Sequence, residues 1–285
     1  MPRDRVYYGM QYFSGVPLIR TLGMGDVDFN IHTHRIGLEK TLFNGRASME
    51  FLVPFQYTTS SNITGLGFSA PELAEVELGQ IAAGFKLLLR KSQCAALSAG
   101  LRVETPTDDD MQTGPLVYRT NAVHFTPYLA YLRTQDDYFF QAFVSHRFHL
   151  NEMPRTIAGS PSGTVRDPNV FSIDAGVGRW FEWYCNSYMK AFAPTVELHY
   201  RTQTEGEAQN LFNDLIYGDN VDNLNLTAGV TGLFGDNITA SLALVLPLRS
   251  KVIVPTSGPT AGMSLDTDRF FDAEVMFQVN YFYGR

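Results

Sequence analysis

Hydrophobic residues recur at every second position over segments longer than the strands of an ordinary soluble sheet. Ala47, Met49, Phe51, Val53, Phe55 and Tyr57 fall on one parity, and Arg46, Ser48, Glu50, Leu52, Pro54, Gln56 and Thr58 on the other. Near the end of the chain, Phe271, Ala273, Val275, Phe277, Val279, Tyr281 and Tyr283 alternate with Asp272, Glu274, Met276, Gln278, Asn280 and Phe282. Successive side chains of a strand point to opposite faces, so each segment has an apolar face and a largely polar one. Globular strands usually run about five or six residues. These run to about eleven or more, the length of a tilted strand with roughly 9–11 residues in hydrocarbon. The pattern predicts a wall whose outside, not inside, is greasy.

Twelve segments carry the pattern: 5–13, 27–42, 46–59, 75–89, 94–105, 121–134, 138–150, 169–183, 188–204, 222–234, 238–250 and 270–283. Tight connections fall at 43–45, 90–93, 135–137, 184–187 and 235–237, and all but Arg-Lys-Ser-Gln at 90–93 carry Gly, Asn or Asp, which tolerate turn dihedrals. Long connections at 14–26, 60–74, 106–120, 151–168, 205–221 and 251–269 are rich in Gly, Pro, Ser, Thr and Asp. Short and long alternate strictly. In an up-and-down meander, every short turn then lies on one rim and every long loop on the other, with both termini on the short-turn side. Bacterial outer-membrane barrels have this asymmetry and an even strand number. No linker or composition break divides the chain. The expectation is one all-β domain over 1–285, a transmembrane antiparallel up-and-down β-barrel in the bacterial outer membrane, with the lipid bilayer and a small-molecule solute as its partners.

The apolar parity is nearly unbroken, as in Ile238, Ala240, Leu242, Leu244, Leu246 and Leu248, while the opposite parity is small and polar, as in Ala96, Ser98, Gly100, Arg102 and Glu104. A filled soluble barrel would need the reverse. Aromatic residues make up 13% of the chain and cluster at strand ends, as with Trp180, Trp183, Tyr184 and Tyr188, where interfacial girdles are expected. A net charge of −7 gives nucleic acid no electrostatic hold. An exported barrel needs a leader, and Met1-Pro2-Arg3-Asp4 is followed by no apolar core. The sequence is therefore expected to be a mature portion or to lack its N-terminus. Segment 27–42 breaks phase, since Val27, Phe29 and Ile31 give way to Ile36, Leu38 and Leu42. A bulge near His32–Arg35 would account for that. The short segment 5–13 has aromatics on both parities.

Residues 39–55, running Glu-Lys-Thr-Leu-Phe-Asn-Gly-Arg-Ala-Ser-Met-Glu-Phe-Leu-Val-Pro-Phe, and stretches of 78–107, from Leu-Gly-Gln-Ile-Ala-Ala-Gly-Phe-Lys to Gly-Leu-Arg-Val-Glu-Thr-Pro-Thr, resemble the outer-membrane barrel family named for the MetA pathway of phenol degradation. Gln80 and Asp108 depart from that family's Asp and Gly. The resemblance implies a barrel loosely akin to long-chain fatty-acid and aromatic-hydrocarbon channels, and passive uptake of small molecules, aromatic ones among them. It implies no catalytic residue and no cofactor.

The polar parity places Arg46, Glu50, Lys86, Arg102, Glu104, Arg147, Asp174, Glu197, His199, Arg201 and Glu274 in the lumen as a solute-pathway lining of mixed and nearly balanced charge. Buried charges must be paired or solvated. They either line a water-filled channel or lock together as a plug, and the alternative to a channel is a closed barrel acting through loops 151–168, 205–221 and 251–269. A lipid hydrolase needs a nucleophile beside an outward histidine. His146 is outward, but its same-face neighbours Val144 and Phe148 and the adjacent Val123, Phe125, Phe171 and Ile173 supply none. His32 and His34 share a face without a third metal ligand. Cys94 and Cys185 lie on one rim, several strands apart. Gly159-Ser160-Pro161-Ser162-Gly163 has Pro where a nucleophile elbow needs Ser. Asp108-Asp109-Asp110 reads as a solvated turn, and Gly65-Leu66-Gly67 lacks the strand-to-helix setting of a nucleotide site.

Overall fold

A computed structural model describes residues 2–21, 25–61, 76–107, 111–113, 116–118, 122–157, 160–165, 169–183, 188–205, 222–250, 252–253, 263–266 and 268–284. Twelve antiparallel strands close into a barrel. In chain order they are β1 (Arg5–Thr21), β2 (Gly25–Leu42), β3 (Ala47–Ser61), β4 (Ala82–Lys91), β5 (Ala95–Glu104), β6 (His124–Gln135), β7 (Tyr138–His149), β8 (Asn169–Arg179), β9 (Met189–Glu205), β10 (Asp222–Phe234), β11 (Ile238–Pro247) and β12 (Ala273–Phe282). Each pairs with the next. The seam between β1 and β12 runs from Arg5↔Phe282 to Ser14↔Ala273. Closure leaves no barrel strand with an unpaired edge.

Paired residues share a face, so the register sorts the side chains. Every barrel strand exposes a large apolar residue outward: Val6, Leu38, Phe51, Leu87, Leu101, Leu129, Phe140, Ile173, Val196, Val230, Leu242 and Tyr281. A belt on all twelve strands far exceeds the few hundred Å² of apolar patch a soluble monomer usually shows. The buried polar residues, among them Glu39, Ser48, Ser98, His124, Glu274 and Asn280, sit on the inward parity. The polarity is inverted relative to a soluble barrel, as the alternation requires.

Four sequence expectations change. The segment expected at 5–13 continues to Thr21, and β2 begins at Gly25, so most of the connection placed at 14–26 is strand. Ser14-Gly15 and Pro17 read as loop residues, yet the β1–β2 ladder absorbs them through register shifts between Phe13 and Val16 and between Pro17 and Ile19. Gly15 takes φ +64, the left-handed region that glycine enters without steric cost. The bulge expected at His32–Arg35 does not exist, because β2 pairs with β3 without interruption from Asp28 to Leu42. Ile31 instead shares the lumenal parity of Thr33 and Arg35, so an apolar residue on the inner face, not a phase flip, disturbs the pattern. The segment placed at 75–89 is broken at Gly79–Ile81, with Val76–Leu78 paired to β3 ahead of β4. The connections at 106–120 and 151–168 contribute Met111–Thr113, Leu116–Tyr118, Met153–Ile157 and Ser160–Val165 to a separate four-stranded sheet.

Turn 43–45 is built from left-handed residues, Phe43 (φ 51), Asn44 (φ 55) and Gly45 (φ 79). At the same rim Asp4 ties the chain before β1 to the end of β2. Its carboxylate accepts from Lys40 Nζ at 2.5 Å, Thr41 N at 2.6 Å and Thr41 Oγ1 at 2.5 Å. The Lys40 ammonium, then the Thr41 donors, hold the Asp4 pKa down at about 2. A depressed carboxylate contributes stability that is present above its unfolded pKa and is lost as pH falls through the folded one. Asp4→Asn is therefore expected to lower barrel stability at pH 6, with the deficit shrinking below pH 4 and gone near pH 2. Unfolding midpoints of both proteins across that range check it. A deficit constant with pH would assign the loss to packing.

Candidate functional site

The lumen is the candidate site, and its charges fall into three groups on the wall. In the first, Glu39 of β2 is 1% exposed and accepts from Arg5 Nε at 2.9 Å, Lys86 Nζ at 2.9 Å and Ser48 Oγ at 2.7 Å. Glu50 of β3 accepts from the Tyr7 hydroxyl at 2.8 Å and lies 3.4 Å from Arg5 and 3.5 Å from Arg102. Arg5 also donates to Asn280 Oδ1 at 2.9 Å across the seam. Tyr7 reaches from β1 to β3 by lying across β2 at Gly37, where a Cβ would stand 2.1 Å from its ring. Tyr128 lies over Gly100 in the same way, with a Cβ there 2.2 Å from the ring. Glycine is required at both positions because a neighbouring ring occupies the side-chain space.

In the second group, Glu104 of β5 pairs with Arg147 of β7 at 3.2 Å and stands 3.9 Å from His124, whose Nδ1 is 3.0 Å from Gln80 Oε1. In the third, His199 of β9 is held between Asp174 of β8 at 2.8 Å and Glu197 at 3.6 Å, and Gln141 of β7 donates to Glu197 at 2.7 Å. A cavity of about 350 Å³ opens against this wall, lined among others by Ser98, Ala130, Leu132, Phe143, Gly176 and His199.

These contacts run along the wall. Arg5–Glu39 and Asp174–His199 join adjacent strands; Arg5–Glu50, Lys86–Glu39, Arg102–Glu50 and Arg147–Glu104 each skip one. Among the described residues no lumenal ion pair joins opposite sides of the barrel.

Of the residues singled out in the sequence, Glu50, Lys86, Arg102, Glu104, Arg147, Asp174, Glu197, His199, Arg201 and Glu274 stand on the lumenal parity of their strands. Glu274 accepts from Gln11 at 2.5 Å. Arg46 is an exposed residue of the turn after β2, at the short-turn rim. The sequence reading missed Arg5, Tyr7, Arg35 and Glu39. All four lie in the first two strands, where alternation is least regular, although Glu39 was reachable by counting one residue on from the outward Leu38.

Outside the barrel, His146 Nε2 lies 2.8 Å from the Thr204 hydroxyl, supplied from β9 two strands away, so a hydroxyl does stand within reach. His146 has no carboxylate among its described partners, and its ring packs on Phe148 and Phe171. His34 bonds the Tyr8 hydroxyl at 2.7 Å, and His32 packs between Tyr12 and Tyr57. No group of three metal-ligating side chains occurs among the described residues. Cys94 is exposed and free. Gly65-Leu66-Gly67, Asp108-Asp109-Asp110, Gly159, Tyr184 and Cys185 lie outside the described residues.

No family model matches the chain, and no curated protein matches it. Solved structures do. The COG4313 outer membrane channel from Pseudomonas putida F1 aligns at TM-score 0.61 and 10% identity, covering 99% of this chain and 97% of that one. The chain has the fold of outer-membrane barrels. The translocator domain of the autotransporter NalP from Neisseria meningitidis aligns at TM-score 0.54 and 10% identity, over 99% of this chain and 89% of that one. The beta domain of the Bordetella autotransporter BrkA aligns at TM-score 0.53 and 12% identity, over 99% and 100%. At such identities the barrel is shared and the lumenal side chains are this chain's own.

Proposed function

We propose that the protein is a channel of the bacterial outer membrane through which small solutes diffuse passively, hydrophobic and aromatic compounds among them. The carrying observation is the direction of the lumenal ion pairs. A plug needs charges that lock opposite walls together, whereas those among the described residues pair along the wall, which supports a lumen open to water. Twelve strands make a barrel wider than the side-chain-filled eight-stranded ones and narrower than the porins. The apolar belt on every strand supports the bilayer as surroundings, and the likeness to an outer membrane channel agrees with it. The mechanism is a preformed polar path with no cofactor, no energy coupling and no bond chemistry. The cavity beside Phe143 and Leu132 gives an apolar solute a surface to rest on, and this, with the phenol-pathway resemblance, supports the aromatic reading.

The purified protein in planar bilayers is expected to give discrete conductance steps. Persistent silence from protein that keeps its heat-sensitive gel mobility would favour the closed barrel acting through its loops.

A further inference from the structure

Three arginines face the lumen from three sides: Arg35 on β2, Arg102 on β5 and Arg201 on β9. Their charges meet. Arg35 interacts electrostatically with Arg102, Arg201 and Glu274, and Glu274 with Arg35, Arg201 and His199. Strands β2 and β9 are five apart by the shorter way round, so the Arg35–Arg201 interaction acts across the opening.

Compensation at this level is incomplete. Arg102 shares Glu50 with Arg5, at 3.5 Å and 3.4 Å. Glu274 is 6% exposed and already accepts from Gln11. The side chains of Arg35 and Arg201 make no hydrogen bond and no ion pair with any described residue. Two guanidinium groups with ten N–H donors between them thus stand on the lumenal face with no acceptor of their own among the described residues. Like charges held near one another raise the free energy of the empty passage, and an anion between them lowers it. The planar fork of each group matches a carboxylate.

We propose that Arg35 and Arg201, with Arg102 beside them, form an anion-selecting constriction that takes a small organic carboxylate in transit. This rests on the channel reading and narrows its solute class. A unit charge about 10 Å away in water changes the occupancy of either ion sign by about twofold, so each arginine changes the anion-to-cation ratio about fourfold and both together on the order of tenfold. Because screening acts at these distances, the effect weakens as salt rises.

The test compares wild type with Arg35→Gln/Arg201→Gln in planar bilayers under a KCl gradient. The wild type is expected to reverse at a potential that favours chloride. In the double variant the anion-to-cation permeability ratio falls on the order of tenfold, with conductance steps retained. Sodium benzoate is expected to reduce the wild-type conductance more than benzyl alcohol does, and to lose that advantage in the variant. A wild type that prefers potassium, or a variant with unchanged reversal potential, overturns the proposal while leaving the channel standing. A silent wild type instead removes the channel, and benzoate titration of the detergent-solubilised protein then decides the anion site. Binding abolished by the double substitution supports it, and no binding overturns it. Should the double variant fail to acquire the folded gel mobility, Arg201→Gln alone, at an exposed position, carries the comparison with about a fourfold change expected.

Discussion

Arginine in place of Leu244 is expected to cost the barrel about 2–4 kcal/mol in a phospholipid bilayer, the range for a basic residue facing lipid near the midplane. Leu244 lies in the middle of β11, on the parity of Leu242 and Leu246, and is 43% exposed. In a soluble barrel that exposure would meet water, and arginine would be tolerated within about 0.5 kcal/mol. The sign of the experiment therefore depends on what surrounds the wall. The paired control is Gln278→Arg, on the lumenal face of the adjacent β12 opposite Ser241. Its guanidinium would enter a polar interior, so it is expected to cost much less than Leu244→Arg. Urea unfolding from lipid vesicles, followed by tryptophan fluorescence, gives both values. A larger cost at Gln278 than at Leu244 would turn the barrel inside out and remove the membrane reading with it.

The second large effect is expected at Glu39. Removing one member of a buried, hydrogen-bonded charge group costs about 3–5 kcal/mol, because the partners remain charged without compensation. Arg5 and Lys86 keep 23% and 19% exposure to the lumen, which places Glu39→Gln at the lower end, about 3 kcal/mol. The loss belongs to the group and not to one side chain. Lys86→Met added to Glu39→Gln removes one stranded cation and is expected to recover part of it, so the two substitutions are non-additive. Strict additivity in the same unfolding assay would show that Glu39 and Lys86 do not act as a unit.

The wall was legible in the sequence because it rests on local rules. A period of two sets the face, and the alternation of tight and long connections sets strand count and orientation. The rule failed where local chemistry and pairing disagree. Ser14, Gly15 and Pro17 have loop character, but β2 and the residues following β1's bulges supply ladder partners, so the strand continues. Ile31 points an apolar side chain inward and imitates a phase break. The lumenal partners were less legible for a geometric reason. A tilted, staggered barrel brings together residues whose separation depends on the accumulated register of several strands, as with Lys86 and Glu39 or Arg147 and Glu104. Parity gives the list of inward charges, while pairing needs the shear. Thr204, delivered to His146 from two strands away, was missed for the same reason.

The β1–β12 seam bears on how the molecule is made. Arg5–Ser14 find their second neighbours only in Ala273–Phe282, so the final ladder joins segments separated by nearly the whole chain. Until those residues are in place, β1 offers ten positions of unpaired backbone at one side of an open, strongly apolar sheet. Such an intermediate is both slow to finish, because long-range pairing bears the full loop-closure entropy, and adhesive toward any other open strand. The same ladder that leaves the finished wall without a free edge makes assembly vulnerable until its last step, and places the risk of misassembly at one identifiable joint.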